Sequence, residues 1–184
     1  MNEPRVTGIM QAEGLIDFSM VRQDIMERAQ SFGKGVHAVT EFWDKNILDM
    51  KSVAESLIPY LSGWKNFLKD YNLTFTPEEI EQRLVSIKYG FTGAPDRWHT
   101  EKGLLIDIKS TTTMYPATAI QTMAYQMLIE ENLKIKIKKR IGVQLTGQPG
   151  KGYKIAHYND TSDKSVFLSC LNVYRWKKRK GLLK

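Results

Sequence analysis

Residues 93–110 read Gly-Ala-Pro-Asp-Arg-Trp-His-Thr-Glu-Lys-Gly-Leu-Leu-Ile-Asp-Ile-Lys-Ser. Asp96 follows a Gly-Ala-Pro bend. Ten residues separate it from Asp107, which sits in an apolar run with Lys109 two positions further on. The run 103–109 reads as a buried strand. Charge in such a place is costly unless it is paired or binds a metal. Asp107 and Lys109 point to the same sheet face, and a hairpin can bring Asp96 alongside them. Two carboxylates at this range repel unless a divalent cation sits between them. Mg²⁺ takes carboxylate oxygens, water and phosphate as ligands. A lysine beside it can orient or deprotonate water, or neutralise charge on a phosphate in the transition state. Such a set suits phosphodiester hydrolysis. A structural ion pair explains Asp107 and Lys109 on their own equally well.

The elements that must position these residues follow from periodicity. Residues 19–30 and 31–47 read as two helices. Phe32, Val36, Val39 and Trp43 line one face of the second, with His37 beside that stripe and close to Glu41 at i+4. Residues 51–71 read as a further amphipathic helix, with Leu57, Leu61, Trp64 and Leu68 on one side. Thr76-Pro77-Glu78-Glu79 is a helix-start pattern, yet Val85, Ile87 and Tyr89 alternate with polar residues as a strand does. A short turn at Pro77 followed by a strand through Tyr89 is expected. Residues 91–98 and 104–110 read as a hairpin around Thr100-Glu101-Lys102-Gly103. Residues 116–131 form the clearest helix, with Ile120, Met123, Ala124, Met127 and Leu128 on one face and Gln121 and Tyr125 at its edge. Strands at 140–147 and 152–158 flank a Gln-Pro-Gly-Lys turn, and a helix runs from about Ser162. Helices, a three-stranded meander, a helix, two strands and a helix make an α/β fold with a mixed central sheet flanked by helices.

The chain has 184 residues, 42 % hydrophobic and 26 % charged, which fits one domain with a proper core. Its expected parts are a helical N-terminal part (15–71), a core carrying the candidate site (76–160) and a basic C-terminal helix (162–184). No apolar run approaches the roughly 20 residues that span a bilayer, and no targeting segment is recognisable. Cys170 is the only cysteine, so a disulfide or a cysteine-ligated iron–sulfur cluster cannot form within the chain. A reducing cytoplasmic setting is the expectation, in a bacterial or phage-infected cell. Net charge is +7 but uneven: residues 1–133 hold 13 Lys and Arg against 18 Asp and Glu, and residues 134–184 hold 14 against 2. That basic third suggests a polyanion partner, most simply nucleic acid. A solvated basic surface is the alternative.

Pro95-Asp96, then Asp107-Ile108-Lys109, resemble the signature of the PD-(D/E)XK nuclease superfamily. Gly33-Lys34-Gly35-Val36-His37 resembles the helical G-x-x-x-H motif of its RecB-like exonuclease branch. Gln121-Thr122-Met123-Ala124-Tyr125 resembles that branch's Q-x-x-x-Y motif. The similarity runs from about Val6 to the C-terminus and is greatest to small phage exonucleases and the mitochondrial genome maintenance exonuclease. It implies a restriction-endonuclease-like core and a Mg²⁺- or Mn²⁺-dependent deoxyribonuclease acting in recombination, repair or replication. His37, Asp96, Asp107 and the Ile108 carbonyl would hold the metal, and Lys109 would be the catalytic lysine. Glu81 would serve a second metal or its water, with Glu78 and Glu79 as neighbouring candidates. Gln121 and Tyr125 would position the DNA strand or support the site, and Ser110, which stands where threonine is common, would meet DNA. Some relatives carry a four-cysteine iron–sulfur cluster, which this chain cannot build. Lys177, Lys178 and Arg179 beside Trp176 could follow phosphates. DNA is the expected partner, with a recombination or replication protein beside it and no membrane. An exonuclease is expected; an endonuclease of the same superfamily and a non-catalytic nucleic-acid module are the alternatives.

Overall fold

The computed structural model describes residues 3–17 and 19–183. Four strands form the main sheet in the order β3 (Arg97–His99), β4 (Leu104–Lys109), β5 (Lys139–Leu145) and β6 (Tyr153–Tyr158). The β3–β4 and β5–β6 pairs are antiparallel and β4–β5 is parallel, so the sheet is mixed as expected. The crossover from β4 to β5 is α4 (Ala117–Leu133), the connection that parallel neighbours require.

Strand β4 is buried on both faces. Leu105 joins a core with α1 (Val6–Ala12), α4 and α5 (Asp163–Arg179). Leu104, Ile106 and Ile108 join a second core with Val36 of α2 (Gln23–Asp44) and Trp64 and Phe67 of α3 (Ile58–Tyr71). The helices therefore cover the sheet from both sides. By alternation, Asp107 and Lys109 fall on the α4 side with Leu105. Helix α4 is apolar on most of its circumference because the sheet, α1, α5 and a small second sheet all pack against it.

That second sheet corrects the meander. Strand β1 (Leu84–Ser86) is short, and it pairs only with β2 (Phe91–Gly93). The chain turns at Ser86, where Gly90 N–H donates to the Ser86 carbonyl, so no strand runs through Tyr89. Residues 91–98 are likewise not one arm. Ala94, Pro95 and Asp96 break the ladder, since proline can donate no strand hydrogen bond. Only Arg97–His99 pairs with β4. The expected turn at 100–103 is present, closed by Gly103 in the left-handed region (φ 58°).

Three helical expectations also change. Residues 19–30 and 31–47 are not two helices: the continuous 22-residue α2 runs across the expected boundary and through Gly33 and Gly35. Residues 51–71 break into 3₁₀ turns at Met50–Ser52 and Glu55–Leu57 before α3, which starts with Pro59 in its first turn. Helix α1 has no counterpart among the elements expected from periodicity. The basic C-terminal helix ends at Arg179, and Lys184 lies outside the described residues. No helix among the described residues is long and apolar enough to cross a membrane.

Candidate active site

Helix α2, the Gly-Ala-Pro-Asp bend and β4 converge on one cluster. Val36 and Val39 anchor the second half of α2 in the core, which turns His37 toward the bend. His37 Nδ1 lies 3.5 Å from Glu81 Oε1 and 3.5 Å from Asp96 Oδ1. Ligand atoms of His37, Glu81 and Asp96 lie within 4.8 Å of one another. Glu41 does not partner His37 as expected; it pairs with Lys45 at 2.6 Å, one turn further along α2. The choice among three glutamates is also decided by geometry. Glu79 closes a capping box on Thr76 and accepts from Thr100 N–H. Glu81, in the left-handed region (φ 53°), faces His37. Its N–H donates to the Asp96 carbonyl, holding the two acids together.

Asp96 reaches the centre of β4: its Oδ2 accepts from Ile108 N–H at 2.7 Å. The Ile108 amide thus orients Asp96, while its side chain points into the opposite core. Asp107 is 1 % exposed and neither of its oxygens meets hydrogen-bond geometry; its close neighbour is Lys109 Nζ at 2.7 Å. Asp107 stands outside the group formed by His37, Glu81 and Asp96. Lys109 Nζ also donates to Gln121 Oε1 (3.2 Å), and Gln121 Nε2 donates to Tyr125 OH (3.1 Å). The two α4 residues, one turn apart, therefore form a relay ending on Lys109. Ser110 follows at the end of the strand, with Gly33 of α2 beside its hydroxyl.

Electrostatics follow from crowding. The Asp96 carboxylate, acting against burial and helped by Glu81, pushes His37 up to about 9 in the metal-free protein. Burial pushes Asp107 up to about 6 although Lys109 opposes it. Burial pulls Lys109 down, but Asp107 and Asp96 more than offset it and hold the ammonium above its usual range. Burial also raises Tyr125.

Arg97 and Asp44 were missed from sequence. Arg97 is fully buried. It meets Asp44 Oδ2 at 2.6 Å, the Asp96 carbonyl at 2.5 Å and Glu81 Oε1 at 3.6 Å. Asp44 also accepts from Trp64 Nε1. The signal was available: Asp44 lies two turns beyond His37 on α2, and Arg97 occupies a strand position flanked by a buried bend and Trp98. The basic run lies elsewhere. Lys177 is tied to Glu13 and the Ala12 carbonyl, whereas Lys178 and Arg179 are exposed at the end of α5.

The donor set suits a divalent cation. It offers one imidazole, clustered carboxylates and, in Asp107, a buried carboxylate with an unsatisfied oxygen. No family model matches the sequence, and no curated protein matches it. In structure it is similar to the crystal structure of a "Putative exonuclease" from Eubacterium rectale. The TM-score is 0.53 at 12 % identity, over 81 % of this chain and 68 % of that one. The two share a fold, a mixed sheet flanked by helices.

Proposed function

We propose that the chain is one nuclease unit, a metal-dependent deoxyribonuclease of the PD-(D/E)XK type that works inward from a free DNA end. The observation that carries this reading is the grouping of His37, Glu81 and Asp96 beside the under-satisfied Asp107 and the Lys109 ammonium. His37, Asp96 and Asp107, with the Ile108 carbonyl, would hold Mg²⁺ or Mn²⁺, and Glu81 would bind it or its water. A bound ion there supplies positive charge for a phosphodiester oxygen and lowers the pKa of water. Lys109, kept charged and aimed by Gln121, stabilises the negative charge that grows on the phosphate. Tyr125 fixes the Gln121 amide. Ser110 and the basic end of α5, with Lys178 and Arg179, meet the DNA backbone. A role in recombination, repair or replication fits such an activity.

The preference for an end rests on α2. Its second half is packed in the core and delivers His37, while residues 27–31 are exposed. In this reading α2 and α4 would wall the centre on two sides and admit a single strand more readily than a duplex. The test compares linear and covalently closed circular single-stranded DNA of equal length, with Mn²⁺. Degradation of the linear form alone is expected. Equal rates on both would replace the exonuclease reading by an endonuclease. No cleavage of either would leave a binding module.

A further inference from the structure

A second pocket adjoins the cluster and has the opposite electrostatic character. It encloses about 230 Å³ and is lined by Arg5, Arg83, Thr7, Thr92, the Gly93-Ala94 bend and Tyr125. Two arginines and no acid line it, within a stretch (1–133) where acids outnumber bases 18 to 13. Neither Arg5 nor Arg83 forms an ion pair among the described residues. The Arg83 side chain and the Arg5 backbone are nonetheless held in place. Arg83 Nε donates to Thr92 Oγ1 (3.4 Å), and that buried hydroxyl donates to the Leu84 carbonyl (2.8 Å). Arg5 forms a parallel bridge with Thr92, whose N–H donates to the Pro4 carbonyl. The N-terminal segment is thereby stitched to β2, and Arg5 lines the same pocket as Arg83.

We propose that this pocket is a phosphate subsite that grips a backbone phosphate next to the one being cleaved. It rests on the nuclease reading above. Paired guanidiniums with neighbouring hydroxyls match the tetrahedral, multiply accepting geometry of a phosphate. The position fits as well. Ala94 precedes Asp96 by two residues, so the pocket and the metal-ligand cluster are at most about 7 Å apart along the chain. Tyr125 is shared: it lines the pocket, and its hydroxyl accepts from the Gln121 amide that aims Lys109. Gly93 makes this possible, because a Cβ there would lie 2.7 Å from the Tyr125 ring. A phosphate held by Arg5 and Arg83 would therefore set the register of the strand against Lys109. The phosphate could be an internal diester or the terminal group of a strand.

The test uses an Arg5→Gln/Arg83→Gln double variant and the wild type, both in EDTA so that DNA is not cut. Fluorescence anisotropy measures binding of single-stranded oligonucleotides ending in a 5′-phosphate, a 3′-phosphate or hydroxyls only. The expected result is at least about tenfold weaker binding and a salt slope shallower by about 0.7, one phosphate on a single strand. Equal loss on all three oligonucleotides identifies an internal diester; loss confined to one phosphorylated end identifies a terminal group. Arg5→Lys/Arg83→Lys should recover part of the affinity, since charge returns without the planar fork. A folded double variant with wild-type affinity and slope overturns the subsite. If the variants do not fold, NMR of the wild-type arginine Nε–H signals decides: no shift on adding inorganic phosphate overturns it. Phosphate-dependent shifts in a protein that cuts no DNA would overturn the nuclease reading and leave the subsite. Cleavage with unmoved DNA affinity would do the reverse.

Discussion

Two buried arginine–aspartate pairs hold this molecule together, and their surroundings differ. Arg140 meets Asp163 at 2.8 Å and spends its other N–H groups on the Ala119 and Asp160 carbonyls and the Thr122 hydroxyl. One positive charge meets one negative charge, and neutral acceptors take the rest. Arg97 meets Asp44 at 2.6 Å, but its Nη2 has no partner among the described residues, and Glu81 and the Asp96 carbonyl meet the same guanidinium. Across the linked cluster four carboxylates, Asp44, Glu81, Asp96 and Asp107, stand against Arg97 and Lys109. With His37 neutral, two negative charges are left over, which is the charge of one divalent cation. A balanced pair ties α4 to α5; an unbalanced one leaves negative charge that a bound cation could neutralise. The raised His37 value reflects that imbalance, because the Asp96 carboxylate favours a proton on the imidazole, whereas Asp107 is raised chiefly by its burial.

The sharpest way to break the contrast is Asp107→Asn. Cleavage should vanish, a loss of at least about 10²-fold, while DNA binding persists because lysines and arginines elsewhere supply phosphate affinity. Wild-type turnover by the variant, with Mn²⁺ present, would remove Asp107 from the chemistry.

Lys109→Ala should slow cleavage by about 10²-fold with little change in metal affinity. Calorimetry showing abolished Mn²⁺ binding would instead give Lys109 a structural role.

Arg140→Ala probes the balanced pair. It leaves Asp163 buried and uncompensated, a cost of about 3–5 kcal/mol in stability. Chemical denaturation should register that loss while the folded fraction keeps its specific activity. A loss of activity per folded molecule would tie this pair to the site.

The pH response should separate the pairs further. His37 has its folded value raised from 6.5 to about 9, so its stabilising contribution is complete below pH 6.5 and is lost as pH rises through 9. In EDTA, the melting temperature should fall across that window. Because a metal ligand must be the neutral imidazole, Mn²⁺ should raise the melting temperature more at pH 8 than at pH 6. His37→Gln should flatten both trends; an unchanged profile would mean that the imidazole does not couple to the acids.

The smallest effect belongs to the basic end of α5. Neutralising Lys178 and Arg179 should make the salt dependence of DNA binding slightly shallower, by about 0.7 for each single-strand phosphate that they neutralise. Adding Lys177→Gln should perturb stability as well, since it breaks the tie to Glu13. An unchanged slope places the DNA path elsewhere.

Much of the fold was legible because period and punctuation carry it. The apolar face of α4, the buried run of β4 and the strands around Gln148-Pro149-Gly150-Lys151 fall within a few residues of their expected bounds. The failures have physical causes. Val85, Ile87 and Tyr89 alternate like a strand, yet Ile87 is 92 % exposed at a turn. Residues 19–30 and 31–47 read as separate helices, yet one helix runs through both and tolerates Gly33 and Gly35, since a glycine costs a helix only about 1 kcal/mol and Gly35 packs closely against Leu57. Helix α1 is too short for its periodicity to register and is fixed by packing on α4 and α5.

The candidate chemistry was legible in residue type and order: an acid after a Pro bend, an acid and a lysine two apart on a strand, a histidine upstream. Alternation alone puts Asp107 and Lys109 on one face, because the pleat of a strand has period two. What the sequence could not decide was which acids meet. Glu78, Glu79 and Glu81 are equivalent in a string of letters. Only the capping box that occupies Glu79 and the left-handed turn at Glu81 bring one of them to His37. Nor could it show Arg97 and Asp44 behind the cluster, 53 residues apart, or Arg5 and Arg83 lining one pocket. Those meetings depend on how helices and bends pack across a sheet, and side-chain charge then acts over ångströms of space rather than over positions in the chain.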